Sequence, residues 1–78
     1  MDRAALQRRL AQVEAKIADM QHQIGEQREV IVKLESAGGP AEHAKYLLAG
    51  LELLQAAQRA NRNAIAAELS KFQADASS

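Results

Sequence analysis

Gly38-Gly39-Pro40 is the one cluster of helix-breaking residues in this chain, and it divides two long stretches that read as helix. An uninterrupted rod would carry a Pro penalty of ~3 kcal/mol and a further ~1 kcal/mol for each Gly. The expected solution is a hairpin: helix 2–37, turn 38–40, helix 41–74, and a frayed tail 75–78. Gly38 suits the position after a helix, where positive φ is needed. Gly39 is the expected N-cap of the second helix, with Pro40 at its first position and Glu42 near its positive dipole end. Asp2 is the expected N-cap of the first helix.

The first stretch repeats every seven residues. Leu6, Leu10, Val13, Ile17, Met20, Ile24, Gln27, Ile31 and Leu34 follow alternating steps of three and four, the seam of a coiled coil. Gln27 is the polar exception. In the second stretch Ala44, Leu47, Leu51, Leu54, Gln58, Asn61 and Ile65 keep such steps. Leu69 and Phe72 continue the pattern after a one-residue shift. Folding back near Gly39 sets Leu34 by Ala44, Ile31 by Leu47, Ile24 by Leu54, Ile17 by Asn61, Val13 by Ile65 and Leu6 by Phe72. A second stripe runs along Tyr46, Ala49, Leu53, Ala56, Ala60, Asn63, Ala67, Ser70 and Ala74. Its small residues allow another helix close approach, although Ala is also the best helix former and fills exposed positions for that reason.

Such a hairpin has a thin core. The 78 residues are 47% apolar, but seventeen of them are Ala, and Tyr46 and Phe72 are the only aromatics. Chains of this size generally need disulfides, a metal or a partner chain. With no Cys, disulfides and thiolate metal sites are excluded. Val30, Val32, Leu48 and Leu53 fall outside the expected seam, so a single hairpin leaves apolar surface uncovered. Two hairpins docked as a four-helix bundle cover it, and a two-fold homodimer, or a tetramer, is the expected assembly.

Ten basic side chains balance ten acidic ones, with no charged arm in either half. That balance disfavours a nucleic-acid binder relying on phosphate neutralisation. No apolar run approaches the ~20 residues that span a bilayer, and the first residues lack a signal-peptide core, so the expected location is the cytoplasm.

Candidate chemistry is sparse. Asp19 and His22 share a carboxylate-x-x-His spacing, but both fall outside the seam, where a solvated surface pair is expected. His43 beside Glu42 reads as a surface or capping residue. Two His on different helices do not complete a metal site. No catalytic arrangement or phosphate loop is present in the pattern, so no enzyme activity and no cofactor are expected. Gln27, Gln58 and Asn61 are polar seam residues, expected to select register or oligomer state at a cost in stability, the alternative being that they mark where a partner or a bridging water enters. Arg8, Arg9 and Lys16, with Arg59, Arg62 and Lys71, form the nearest thing to a basic patch, at the end away from the turn. A hairpin dimer binding RNA there is the alternative function, resembling the plasmid-encoded RNA-one modulator type. Interleaved acids dilute the field, and no aromatic stands ready to stack on bases.

The stretch Gln27-Arg28-Glu29-Val30-Ile31-Val32-Lys33-Leu34-Glu35, followed by a Gly-containing turn, resembles a group of short bacterial proteins, chiefly alphaproteobacterial. These carry an R-Q-R-E-[IV]-[IV]-x-x-L-E stretch. Leu47-Leu48, Glu52 and Gln55 stand where the group has Leu-Leu and an acidic residue before a Gln. Gln58 and Asn61-Arg62-Asn63 depart from its His and Asp-Arg-Asp-like cluster. The resemblance implies a small bacterial helical hairpin and brings no activity with it.

The expected fold is therefore an all-α antiparallel hairpin pairing into a four-helix bundle. The expected function is a noncatalytic interaction or oligomerisation module, with a second copy or another helical protein as partner and no membrane.

Overall fold

The computed structural model describes the backbone of residues 2–77 and the surroundings of side chains 2–72. Two helices make up the fold, α1 (Arg3–Ser36) and α2 (Glu42–Ser77), packed as an antiparallel hairpin. The rod measures 62 × 17 × 14 Å, as expected for helices of about 50 Å at 1.5 Å per residue.

Local chemistry sets the ends of α1. Asp2 is extended (φ −80°, ψ 166°), and its Oδ1 accepts the Ala5 N–H at 2.7 Å, satisfying one of the orphan donors of the first turn. At the other end the Gly39 N–H donates to the Leu34 carbonyl at 2.9 Å, and the Gly38 N–H to that of Glu35 at 3.1 Å. This pair of bonds is the Schellman motif, and it requires the left-handed residue that Gly38 provides at φ 74°.

The start of α2 differs from expectation. Gly39 is not its N-cap and Pro40 is not its first residue. The helix begins at Glu42, and the Ala41 carbonyl accepts the Lys45 N–H at 2.9 Å. Gly38 already reverses the chain, so residues 39–41 serve as a short connector that tucks Ala41 into the core at 7% exposure. At its far end α2 is helical through Ser77, past the expected end at 74; Ser78 lies outside the described residues.

All nine seam positions of α1 are buried or half-buried, from Leu6 to Leu34. The seam of α2 is partly different. Ala44, Leu51, Gln58, Ile65 and Leu69 line it as expected, whereas Leu47 and Leu54 are 46% and 59% exposed and Asn61 is also exposed. Their places are taken by Leu48, Gln55 and Arg62. The reason is phase. From Ala41 through Ala44, Leu48, Leu51, Gln55, Gln58, Arg62, Ile65 and Leu69, steps of three and four alternate with no shift, so one continuous seam faces α1. The alternative through Leu47, Leu54 and Asn61 is more apolar at its start but must slip by a residue before Leu69.

Two apolar clusters result. Leu6, Val13, Ile65 and Leu69 pack together at the open end, with Leu10 and Ile17 against them. Ile31, Ala41 and Ala44 pack at the turn end with Leu34 and Leu48. Val13 thus meets Ile65's cluster and Leu34 that of Ala44, as expected. Ile31 joins Ala41 and Ala44 rather than Leu47, and Leu6 joins Leu69, while Phe72 is 38% exposed.

Between these clusters Met20, Ile24 and Leu51 share the seam with polar residues, and those polar residues are satisfied. Gln27 Nε2 donates to the Ala44 carbonyl at 3.0 Å, and Gln55 Nε2 donates to Gln21 Oε1 at 2.9 Å. Among the described residues, no buried side-chain nitrogen or oxygen lacks a partner.

Candidate interaction surface

With the seam placed, the outward face of α2 is defined. Between Tyr46 and Ala67 the only charged residues are Glu52, Arg59 and Arg62. Arg62 is in the seam. Glu52 and Arg59 fall at the heptad position of Lys45, whose Nζ lies 3.1 Å from Glu35 Oε2 across one flank of the hairpin. The remaining exposed positions of this segment are Tyr, Leu, Ala, Gly or Asn. The result is an uncharged, solvent-facing strip of about 33 Å at the helical rise. Tyr46 is 76% exposed and Leu53 73%.

All six residues expected to form a second interface, Tyr46, Ala49, Leu53, Ala56, Ala60 and Ala67, are exposed, as are Asn63 and Ser70. The side chain of Ala74 lies outside the described residues. The surface is broader than that stripe. Leu47 and Leu54, freed from the seam, extend it, and Gly50, Ala57 and Ala64 form the line between them and Tyr46 and Leu53. The sequence signal for these residues was the missing charge over three heptads, not their hydrophobicity. Val30, 43% exposed, falls on the same flank as Leu47, whereas Val32, 61% exposed, lies toward the opposite side of α1.

The outer face of α1 is of another kind. Arg8, Asp19, His22, Glu26, Glu29 and Lys33 are all exposed on it. His22 Nε2 sits 2.8 Å from Glu26 Oε1, one turn on, with both side chains largely in solvent. That i,i+4 pair, not Asp19, is the partner of His22. His43 is exposed near the start of α2. Among the described residues, no group of three or more His, Cys, Asp or Glu is placed to hold a metal ion, and no helix is long and apolar enough to cross a membrane.

The six basic residues do not converge. Arg9 and Lys16 fall on the flank of Val30, Arg59 on the opposite flank and Arg8 on the outer side of α1. Arg62 is half-buried, with its Nε donating to Asn63 Oδ1 at 3.1 Å. Lys71 is exposed beyond the uncharged strip. Of the expected register residues, Gln27 makes an interhelical bond, Gln58 is half-buried and Asn61 faces out. Gln55 has that role without a sequence signal for it, because its neighbour Leu54 is the more apolar choice for a core position.

No protein-family model, curated protein or solved structure matches the chain.

Proposed function

We propose that the chain is a noncatalytic protein–protein interaction and oligomerisation module that works by presenting the outer face of α2 to another helix, in a self-assembled four-helix bundle or against a helical partner. The observation that carries this reading is the uncharged strip between Tyr46 and Ala67, with Tyr46, Leu47, Leu53 and Leu54 all substantially exposed. Large contiguous apolar patches on a small protein mark interaction sites. Covering a side chain of this size contributes roughly 1.5–3 kcal/mol when burial is complete. The small residues between the large ones let a second helix approach closely. The scattered basic side chains lend no such support to a nucleic-acid site. A cysteine-free chain suits a reducing compartment, and the cytoplasm is the proposed location. The likeness to short bacterial R-Q-R-E hairpins belongs to this reading and adds no activity to it.

The test is absolute mass by light scattering across a concentration series, for the native chain and for Leu53→Glu. The expected result is an assembly above monomer mass that falls to monomer in the variant with helical content retained. An assembly that survives Leu53→Glu unchanged would overturn the reading, because α2's outer face would then not be the contact.

A further inference from the structure

Resting on that reading, we infer that the occupant of the α2 face is a second copy of this chain, docked antiparallel about a two-fold axis near Ala57. One feature of the face points to this arrangement.

It is a gradient of size. Along the line pointing directly away from the seam the order is Tyr46, Leu53, Ala60, Ala67, and along the adjacent line Gly50, Ala57, Ala64, all exposed. The bulky residues occupy the turn-proximal half and the small ones the other. An antiparallel copy centred near Ala57 sets Tyr46 level with Ala67 of the second copy, and Leu53 level with Ala60. Each large side chain then meets a small one, which is how facing layers interdigitate without voids. Gly50 and Ala64 lie level along the axis, and Ala57 faces itself. A parallel copy would oppose Tyr46 to Tyr46 and Leu53 to Leu53, prising the helices apart there. It would leave alanines facing alanines across a gap at the other end.

The strip is bracketed by Glu42 and Lys45 before it and by Glu68 and Lys71 after it, all exposed. The same register lays the two uncharged segments fully over one another and leaves these charges at the ends of the contact. Isologous contact also explains why one face suffices. The patch is its own complement, and the assembly closes at two copies with α1 on the outside of each.

The absence of native Cys makes the geometry directly testable. Three variants, Ala57→Cys, Gly50→Cys and Ala64→Cys, are treated with a short bismaleimide at a concentration where light scattering reports assembly, with helical content checked first. Ala57→Cys alone is expected to link into a covalent dimer, as is an equimolar mixture of Gly50→Cys and Ala64→Cys. Gly50→Cys alone is expected to stay unlinked. Linking of Gly50→Cys to itself, with loss of linking in the mixture, would overturn the antiparallel arrangement while leaving α2 as the interaction face. A chain at monomer mass throughout the series would overturn self-docking and leave the face to a different helix. A dimer that survives Leu53→Glu would overturn both this inference and the reading beneath it.

Discussion

Gln55 and Gln21 join the two helices through a 2.9 Å side-chain hydrogen bond at a point where the seam could have held a leucine. The two are not equivalent, because Gln55 is 8% exposed whereas Gln21 is open to solvent. Removing the exposed partner therefore does more harm than removing the buried one. Gln21→Ala leaves the Gln55 amide buried without its acceptor, at a cost of ~1–3 kcal/mol. Gln55→Leu deletes the buried polar group and lets Gln21 hydrate, so its stability equals or exceeds that of the native chain. Urea unfolding of both variants checks the order; a Gln55→Leu protein less stable than Gln21→Ala would contradict it.

Gln27 is the second polar tie, bonded to the Ala44 carbonyl. A polar seam residue trades stability for a single register. Gln27→Leu is expected to raise the melting temperature and to broaden the distribution of assembly masses in native mass spectrometry. Lower stability with one unchanged mass would refute the register role.

The turn separates two adjacent glycines by conformation. Gly38 has φ 74°, where any side chain is strained, whereas a Cβ on Gly39 would meet only the Leu34 carbonyl oxygen at an ordinary 3.6 Å. Gly38→Ala should cost ~1–2 kcal/mol, and Gly39→Ala distinctly less. Equal shifts in urea midpoint would show that the left-handed conformation is not what holds the turn.

Ile24 is 1% exposed and Val32 is 61% exposed, although both are β-branched residues of α1. Ile24→Ala is expected to destabilise by ~2–5 kcal/mol through lost burial and the cavity left behind. Val32→Ala should stay within ~0.5 kcal/mol of the native chain. Thermal or denaturant melts read both, and a large loss at Val32 would mean that this side of α1 is covered in solution.

The legibility of the fold differed between the helices for a physical reason. In α1 a near-pure apolar heptad stands against polar neighbours such as Gln7, Glu14 and Arg28, so hydrophobicity alone picks out the buried face. In α2, Leu47, Leu48, Leu51, Leu53 and Leu54 surround the helix, and apolarity no longer distinguishes inside from outside. The seam there is chosen by continuity of phase from Ala41 to Leu69, which costs it Leu54 in favour of Gln55. Asn61 and Arg62 exchange places by the same rule. The outer face was partly visible as the stripe from Tyr46 to Ala67. Leu47 and Leu54 are hidden from it because their apolarity suits them equally to the core.

The division of the seam into a turn-end cluster and an open-end cluster also sets an order of events in folding. Contacts among Ile31, Ala41 and Ala44 close a short loop, whereas those between Leu6 and Leu69 close almost the whole chain. Loop-closure entropy favours the short loop first. Yet the larger side chains sit at the far end, so the region that forms earliest is not the one that holds most tightly once formed. The hairpin should zip from its turn and be latched at its open end. Leu6→Ala would then accelerate unfolding while leaving the folding rate nearly unchanged, and Ile31→Ala would slow folding itself. A latch placed last keeps the finished rod closed without delaying its formation.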